Sequence, residues 1–349
     1  MARLAAVCGA LPEHRYAQSE ITRAFVKEWN LQGSRKGLLE RLHRNVGVEF
    51  RHLGLPIERY IGLSGFREAN DAYVKAALDL GAEAAGAAIE EAGLVPGDID
   101  LILMTSTTGV AAPSLDARLV ERLGLRHDVK RVPVFGLGCA AGAAGIARLH
   151  DYLRGWPDHT ALLLSVELCS LTLQRDDTSI ANFVGSALFG DGAGAVVACG
   201  PVHRAAGPSV VATRSRFYPG TPHVMGWNVS EKGFQVVLDP GIPDLVRTHL
   251  ARDLDGFLAE HDMTAKDITT WVCHPGGPKV LEAIAETLRL PDGALDITWR
   301  SLARNGNLSS ASVLHVLRDT LATRPEPGTH GVLMALGPGF CAEFVLLRW

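Results

Sequence analysis

The stretch from Val134 to Gly145 (VFGLGCAAGAAG) constrains the chain most, because an apolar run meets a cysteine and turns at once into a row of small residues. Arg131 to Phe135 is β-branched and aromatic in the manner of a buried strand. Gly136 and Gly138 then allow a sharp turn that a Cβ would obstruct. Ala140 to Leu153 favours helix, with Ile146, Leu149 and Leu153 spaced for one buried face. Cys139 is thus placed at the N-terminal end of a helix, where free N–H groups and the macrodipole favour a thiolate and lower its pKa. Two readings stay open on this stretch alone: a nucleophile, or a small thiol packed where strand meets helix.

The same alternation recurs along the 349 residues. A strand is predicted at Arg3 to Gly9, a helix from Gln18 to Glu28, a helix from Asp71 to Ala92 ending at Gly93, and a strand at Ile99 to Ser106. The last of these (IDLILMTS) is apolar almost throughout, as strands covered on both faces are. A helix at Ser114 to Leu123 and a strand at Thr160 to Val166 continue the series. Gly190, Gly192 and Gly194 are spaced like a phosphate loop but lead into the strand-like Ala195 to Ala198, so a tight turn is expected. Pro201 to Gly241 is strand-rich with polar turns. A second series follows: helix Ile242 to Asp262, strand Thr270 to Cys273, helices Lys279 to Leu288 and Ser309 to Leu321, and strands Gly331 to Leu336 and Ala342 to Leu347. The pattern predicts an α/β architecture around a central sheet, in two similar halves, 1–225 and 226–349.

Composition narrows the function classes. A net charge of −4 gives no bulk attraction to nucleic acid or an anionic membrane. No apolar run approaches the roughly 20 residues of a spanning helix, and the N-terminus lacks a secretory signal, so a cytoplasmic protein is expected. The six cysteines are scattered without CxxC or zinc-like spacing, which predicts reduced thiols. No histidine pair has metal-ligand spacing, and no metal or cofactor is expected. The basic helix around Arg35 to Arg44 has two readings: a solvated face, or a landing site for the phosphates of a carrier such as coenzyme A, with Arg41 and Arg44 the candidates.

Two later stretches bear on Cys139. Thr270 to Pro278 (TWVCHPGGP) delivers His274 from a strand end into a Gly/Pro turn, the place where active-site groups of α/β sheets concentrate. Arg304 to Ala311 (RNGNLSSA) places Asn307 where a helix opens, as a cap or as a functional amide.

Together GCAAG at 138–142, ALFGDGAGA at 187–195, HPGGP at 274–278, GNLSSA at 306–311 and GPG at 337–339 resemble the thiolase-fold condensing enzymes, and within them the type III polyketide synthases of the chalcone and stilbene synthase family. The ketoacyl synthase III relatives typically carry His-Gln-Ala-Asn where this chain has HPGGP. The resemblance implies a five-layered αβαβα thiolase-like fold, a homodimer, and acyl-CoA and malonyl-CoA as substrates. It implies Cys139 as the acyl-loading nucleophile, His274 and Asn307 as the pair around the thioester oxygen, and Phe189 as an aromatic gatekeeper. The chemistry requires such parts: a thiolate to take the acyl group, and two donors for the oxyanion of the enolate formed when malonyl is decarboxylated.

The remaining substrate-site candidates follow from the same resemblance. Thr107, Glu167 and Ser309 match positions that hold a water for cyclisation in stilbene-type enzymes, while Thr108 and Thr172 belong to the same wall. Val236 stands where plant members carry a second phenylalanine, Trp227 where they carry glycine, and Cys169 where they carry threonine. With Ala112 and Leu171 these changes imply a redirected apolar pocket. The Met225-Gly226-Trp227 segment is similar to that of bacterial alkylresorcinol and alkylpyrone synthases, so a fatty acyl starter is expected. The alternatives are a synthase that makes tetrahydroxynaphthalene from malonyl-CoA alone, and a ketoacyl synthase III performing one condensation.

Overall fold

A computed structural model describes all 349 residues. The strands in chain order are β1 (Arg3–Ala10), β2 (His14–Ala17), β3 (Phe50–Leu53), β4 (Leu101–Thr105), β5 (Lys130–Val134), β6 (Thr160–Leu168), β7 (Asp191–Cys199), β8 (Ser209–Phe217), β9 (Met225–Ser230), β10 (Gly233–Leu238), β11 (Ile268–Cys273), β12 (His330–Gly337) and β13 (Cys341–Arg348). The helices are α1 (Gln18–Glu28), α2 (Gly33–Asn45), α3 (Ile57–Tyr60), α4 (Phe66–Glu91), α5 (Leu115–Leu123), α6 (Ala141–Gly155), α7 (Ile180–Leu188), α8 (Ile242–Ala259), α9 (Pro278–Leu288), α10 (Asp296–Asn305) and α11 (Ser312–Ala322).

Nine strands form one sheet in the order β11-β12-β13-β8-β1-β7-β6-β4-β5. Its two halves meet at a thin seam, where β1 touches β8 through the single pair Arg3 and Ser209. The halves close on α6 and α11, which pack between them. Ile146, Leu149 and Leu153 of α6 and Val313, Leu314 and Leu317 of α11 are buried against β4, β6 and β7 on one side and β11, β12 and β13 on the other. Full burial of one such side chain is worth about 1.5–3 kcal/mol, so these two apolar faces clamp the halves together despite the thin seam. Outside the first half lies α4, whose Ala77, Ala84, Ala85 and Ala88 allow close approach to β1, β6 and β7. Outside the second half lie α8 and α9, buried through Leu250, Leu254, Phe257, Leu281 and Ile284. The order of layers is α, β, α, β, α. No helix is long and apolar enough to cross a membrane.

Three features depart from the sequence expectations. β5 was expected to be buried, but it is the sheet edge, with Val132 and Phe135 39% and 52% exposed. The glycine-rich stretch after Glu167 forms no tight turn: α7, capped by the Ser179 hydroxyl, which accepts the Asn182 N–H at 3.2 Å, leads into it, and Gly192 and Gly194 lie within β7. Ahead of Asn307 lies α10, whose buried positions Thr298, Ser301, Leu302 and Asn305 have helical spacing but are mostly polar, so they do not register as an apolar face.

Candidate active site

Cys139 sits in the one-turn 3-10 segment Gly138–Ala140 that runs into α6. Two contacts explain the glycines around it. Gly138 has φ +48°, and a Cβ there would lie 2.6 Å from the ring of Pro338, in the turn between β12 and β13. At Gly142 a Cβ would stand 2.3 Å from the Ser310 carbonyl oxygen. The nucleophile turn is thus pressed between two segments of the other half, and only glycine permits that approach.

His274 directly follows β11, and its backbone N–H donates to the Met334 carbonyl at 2.9 Å. Asn307 is fixed by a backbone bridge to the Phe189 segment: its N–H donates to Leu188 O at 2.8 Å, and Gly190 N–H donates to Asn307 O at 3.0 Å. Its side-chain oxygen accepts the Ser309 N–H at 2.8 Å, which orients the amide and holds Ser309 at φ +48°. Cys139, His274, Asn307, Ser309 and Phe189 all line one cavity of about 670 Å³. Trp227, Val236, Thr107 and Cys169 line the same cavity.

The electrostatics differ from the sequence expectation of an acidified thiol. Burial pushes the Cys139 thiol up to about 12, and the Glu167 charge adds to this against hydrogen bonds from Ser309 and Asn307. Burial alone lowers His274 to about 3. Removal from water opposes the charge that the helix terminus favours, and does so most at His274, since Cys139 keeps part of its surface exposed. Both ring nitrogens of His274 lack a protein partner.

Glu167, at the end of β6, is fully buried and surrounded by donors. It accepts Thr107 N–H at 3.0 Å, Thr108 Oγ1–H at 2.9 Å and Ser310 Oγ–H at 2.5 Å. Burial nevertheless raises it to about 7. The trio expected at this point was Thr107, Glu167 and Ser309. The structure instead gives Ser310 to the carboxylate and turns Ser309 toward Cys139, with 3.8 Å between Oγ and Sγ. Glu167 and Thr108 stand behind the cavity wall rather than on it.

Trp227 lies on β9 opposite Val236 of β10. Its indole N–H donates to the carbonyl and hydroxyl oxygens of Thr107, at 2.9 and 3.1 Å. Trp227, Val236, Cys169 and Phe189 also border a second cavity of about 260 Å³, into which Thr172 faces. Ala112 is exposed and Leu171 packs into the outer core, so neither shapes the pocket. Arg41 borders the main cavity's mouth, whereas Arg44 is exposed away from it. Lys279, in the first turn of α9, lines that mouth as well. Its only sequence signal was its place after HPGGP.

Comparison with known proteins covers the whole chain. The family model for chalcone and stilbene synthases, N-terminal domain, matches residues 1–201, and that for the C-terminal domain matches 209–349. A 1,3,6,8-tetrahydroxynaphthalene synthase of Streptomyces peucetius subsp. caesius is 62% identical over 99% of this chain and 93% of its own length. A phloroglucinol synthase of Pseudomonas fluorescens is 32% identical over 97% of this chain and 96% of its own. Among solved structures, the 1,3,6,8-tetrahydroxynaphthalene synthase of Streptomyces coelicolor A3(2), a bacterial type III polyketide synthase, superposes with a TM-score of 0.94 at 31% identity, covering 99% of each chain.

Proposed function

The chain belongs to the chalcone and stilbene synthase family and is a type III polyketide synthase, and from that premise we propose that it builds an aromatic polyketide of the tetrahydroxynaphthalene type from malonyl-CoA alone. The observation that carries this reading is the 62% identity to a tetrahydroxynaphthalene synthase along nearly the full chain. Cys169 is the residue the sequence offered for this alternative, and Trp227, which the sequence set against it, now supplies a physical reason in its favour. Its large ring, pinned by two hydrogen bonds to Thr107, occupies wall space that a bulky starter would need. The fatty acyl starter expected from the Met-Gly-Trp segment is accordingly the second reading.

The site residues divide the chemistry as follows. During loading, the imidazole of His274 takes the Cys139 proton as sulfur attacks the malonyl thioester, and the departing coenzyme A sulfur receives that proton. A second malonyl-CoA then loses CO₂: the C–C bond to its carboxylate breaks and the electron pair becomes an enolate. The ring N–H of His274 and the amide N–H of Asn307 hold the oxyanion. The enolate carbon attacks the Cys139 thioester, and the cysteine leaves as a thiolate. The charge that arrived on the malonyl carboxylate therefore ends on sulfur. In later cycles Cys139 begins charged, and a resting thiol near 12 impedes the first loading alone.

Malonyl-CoA supplied alone is expected to give an aromatic product detectable by mass spectrometry, and Trp227→Gly is expected to widen the range of accepted starters. Product formation that strictly requires a fatty acyl-CoA would replace this reading with the second one. The exposed edge strand β5, with Val132 and Phe135 uncovered, supports a further part of the proposal, that two chains pair along this edge. Light scattering in solution measures that directly.

A further inference from the structure

The 260 Å³ cavity behind Phe189 has an unusual occupant in its wall. Phe25, Trp29, Leu53 and Ile57 make it largely apolar, yet Arg51 of β3 also lines it. Arg51 is 3% exposed. One guanidinium nitrogen, Nη1, donates to the Phe189 carbonyl at 2.9 Å, and the other two, Nε and Nη2, have no partner. Nε and Nη2 share the edge of the guanidinium that grips a carboxylate side-on with two parallel hydrogen bonds. The neighbouring acid does not fill that role. Asp191 is engaged by the Gly54 N–H at 2.7 Å, the Ser170 N–H at 2.8 Å and the Ser170 hydroxyl. The Asp191 charge steadies the guanidinium from nearby, but two buried donors left without acceptors cost free energy until an acceptor comes to them.

The two cavities adjoin where Cys169, Phe189, Trp227 and Val236 line both. A chain growing from Cys139 lengthens by two carbons per cycle, and entry of its far end into the second cavity would take it through this shared wall. We propose that the Arg51 cavity is a carboxylate subsite for the far end of a malonyl-primed chain, whose starter carboxylate survives loading and pairs with Nε and Nη2. The proposal rests on the malonyl-only reading. Loading exchanges sulfur for sulfur and leaves the starter carboxylate untouched. A tetrahydroxynaphthalene skeleton retains no such carboxylate, so it leaves later as CO₂, its bonding electron pair staying on the adjacent carbon, which takes a proton from water. Holding the charged end in the second cavity keeps the chain extended until it is long enough to close its rings.

The test separates this subsite from the reading it rests on. Wild-type enzyme given malonyl-CoA alone is quenched during turnover, and the acyl chains on Cys139 are weighed on the intact protein. Chains heavier by one CO₂ than acetyl-primed ones are expected. If no product and no chain form, the malonyl-only reading fails. If product forms on chains lacking the extra CO₂, that reading stands and the subsite is overturned. Arg51→Gln is then compared with Arg51→Lys for the ratio of full-length to truncated products, with malonyl-CoA alone and with hexanoyl-CoA as an apolar starter. Loss of one charge-assisted pair is expected to lower the ratio about tenfold more for malonyl priming than for hexanoyl priming, with partial recovery in the lysine variant, which restores the charge but not the two parallel donors. Equal effects on both starters overturn the subsite. If Arg51→Gln does not fold, Ala24→Asp, which places a competing carboxylate in the same cavity from α1, carries the comparison with the same two outcomes.

Discussion

His274 and Glu167 are both buried near Cys139, and both are driven toward neutrality by loss of water, yet they are treated in opposite ways. His274 has no partner on either ring nitrogen, whereas Glu167 is wrapped by Thr107, Thr108 and Ser310. The unpartnered group faces the 670 Å³ cavity and the satisfied one stands behind its wall. The difference separates groups held ready for a substrate atom, at a cost in stability, from groups that hold the wall in shape.

Removing the ready groups tests the comparison hardest. His274→Ala is expected to lower kcat/KM for product formation by at least about 10²–10³, the cost of one oxyanion donor, with little loss of Tm, whereas Asn307→Ala, which also strips the Ser309 N–H of its acceptor, should lower both. A large fall in Tm with activity preserved would reverse the roles assigned to the two regions. Ser310→Ala should behave the other way. It leaves a buried carboxylate oxygen without its 2.5 Å donor, which costs about 1–3 kcal/mol of stability and lowers Tm, while turnover changes much less.

The pH dependence of stability gives a finer test. Glu167 rises from 4.5 unfolded to about 7 folded, so the native state holds a proton that the unfolded chain releases between those values. Its contribution is fully present below about 4.5 and is lost as pH rises through 7. Asp191, raised to about 6 by burial, acts with the same sign. Over the same window His43, His274 and His315, held well below 6.5 by burial, gain stability as pH rises, so the test is a difference: Tm of Glu167→Gln should rise more steeply from pH 5 to pH 7 than that of the wild type. The smallest expected effect is on the thiol. Because the Glu167 charge helps to raise Cys139, Glu167→Gln should shift the pH midpoint of Cys139 alkylation downward.

Much of the site was legible in the sequence because its residues sit at the ends of elements, where glycine and proline mark the turns. Cys139 after GLG, His274 before PGG and Asn307 after Gly306 are such cases. Ser309 and Ser310 were not separable, since the positive φ of Ser309 decides which hydroxyl reaches Glu167, and no pattern announces it. Arg51 and Arg15 lie on the paired strands β2 and β3 and look equivalent in sequence. One is buried beside a cavity while the other stacks on Phe50 at 3.6 Å, and only the tertiary packing tells them apart. The edge position of β5 was hidden for a similar reason, because an apolar composition does not say whether the strand's outer side is covered.

The contact of Pro338 with Gly138 has a consequence for biosynthesis. Domains emerging from a ribosome tend to fold from the N-terminus onward. Here β13, the last of the thirteen strands to emerge, sits inside the sheet between β12 and β8, and the turn just before it presses on the nucleophile. A nascent chain that has already displayed Cys139 still lacks the surface that shapes its turn. The turn that carries the thiol takes its final shape only when β13 has been delivered, so a shorter nascent chain has no finished cradle in which Cys139 meets His274 and Asn307.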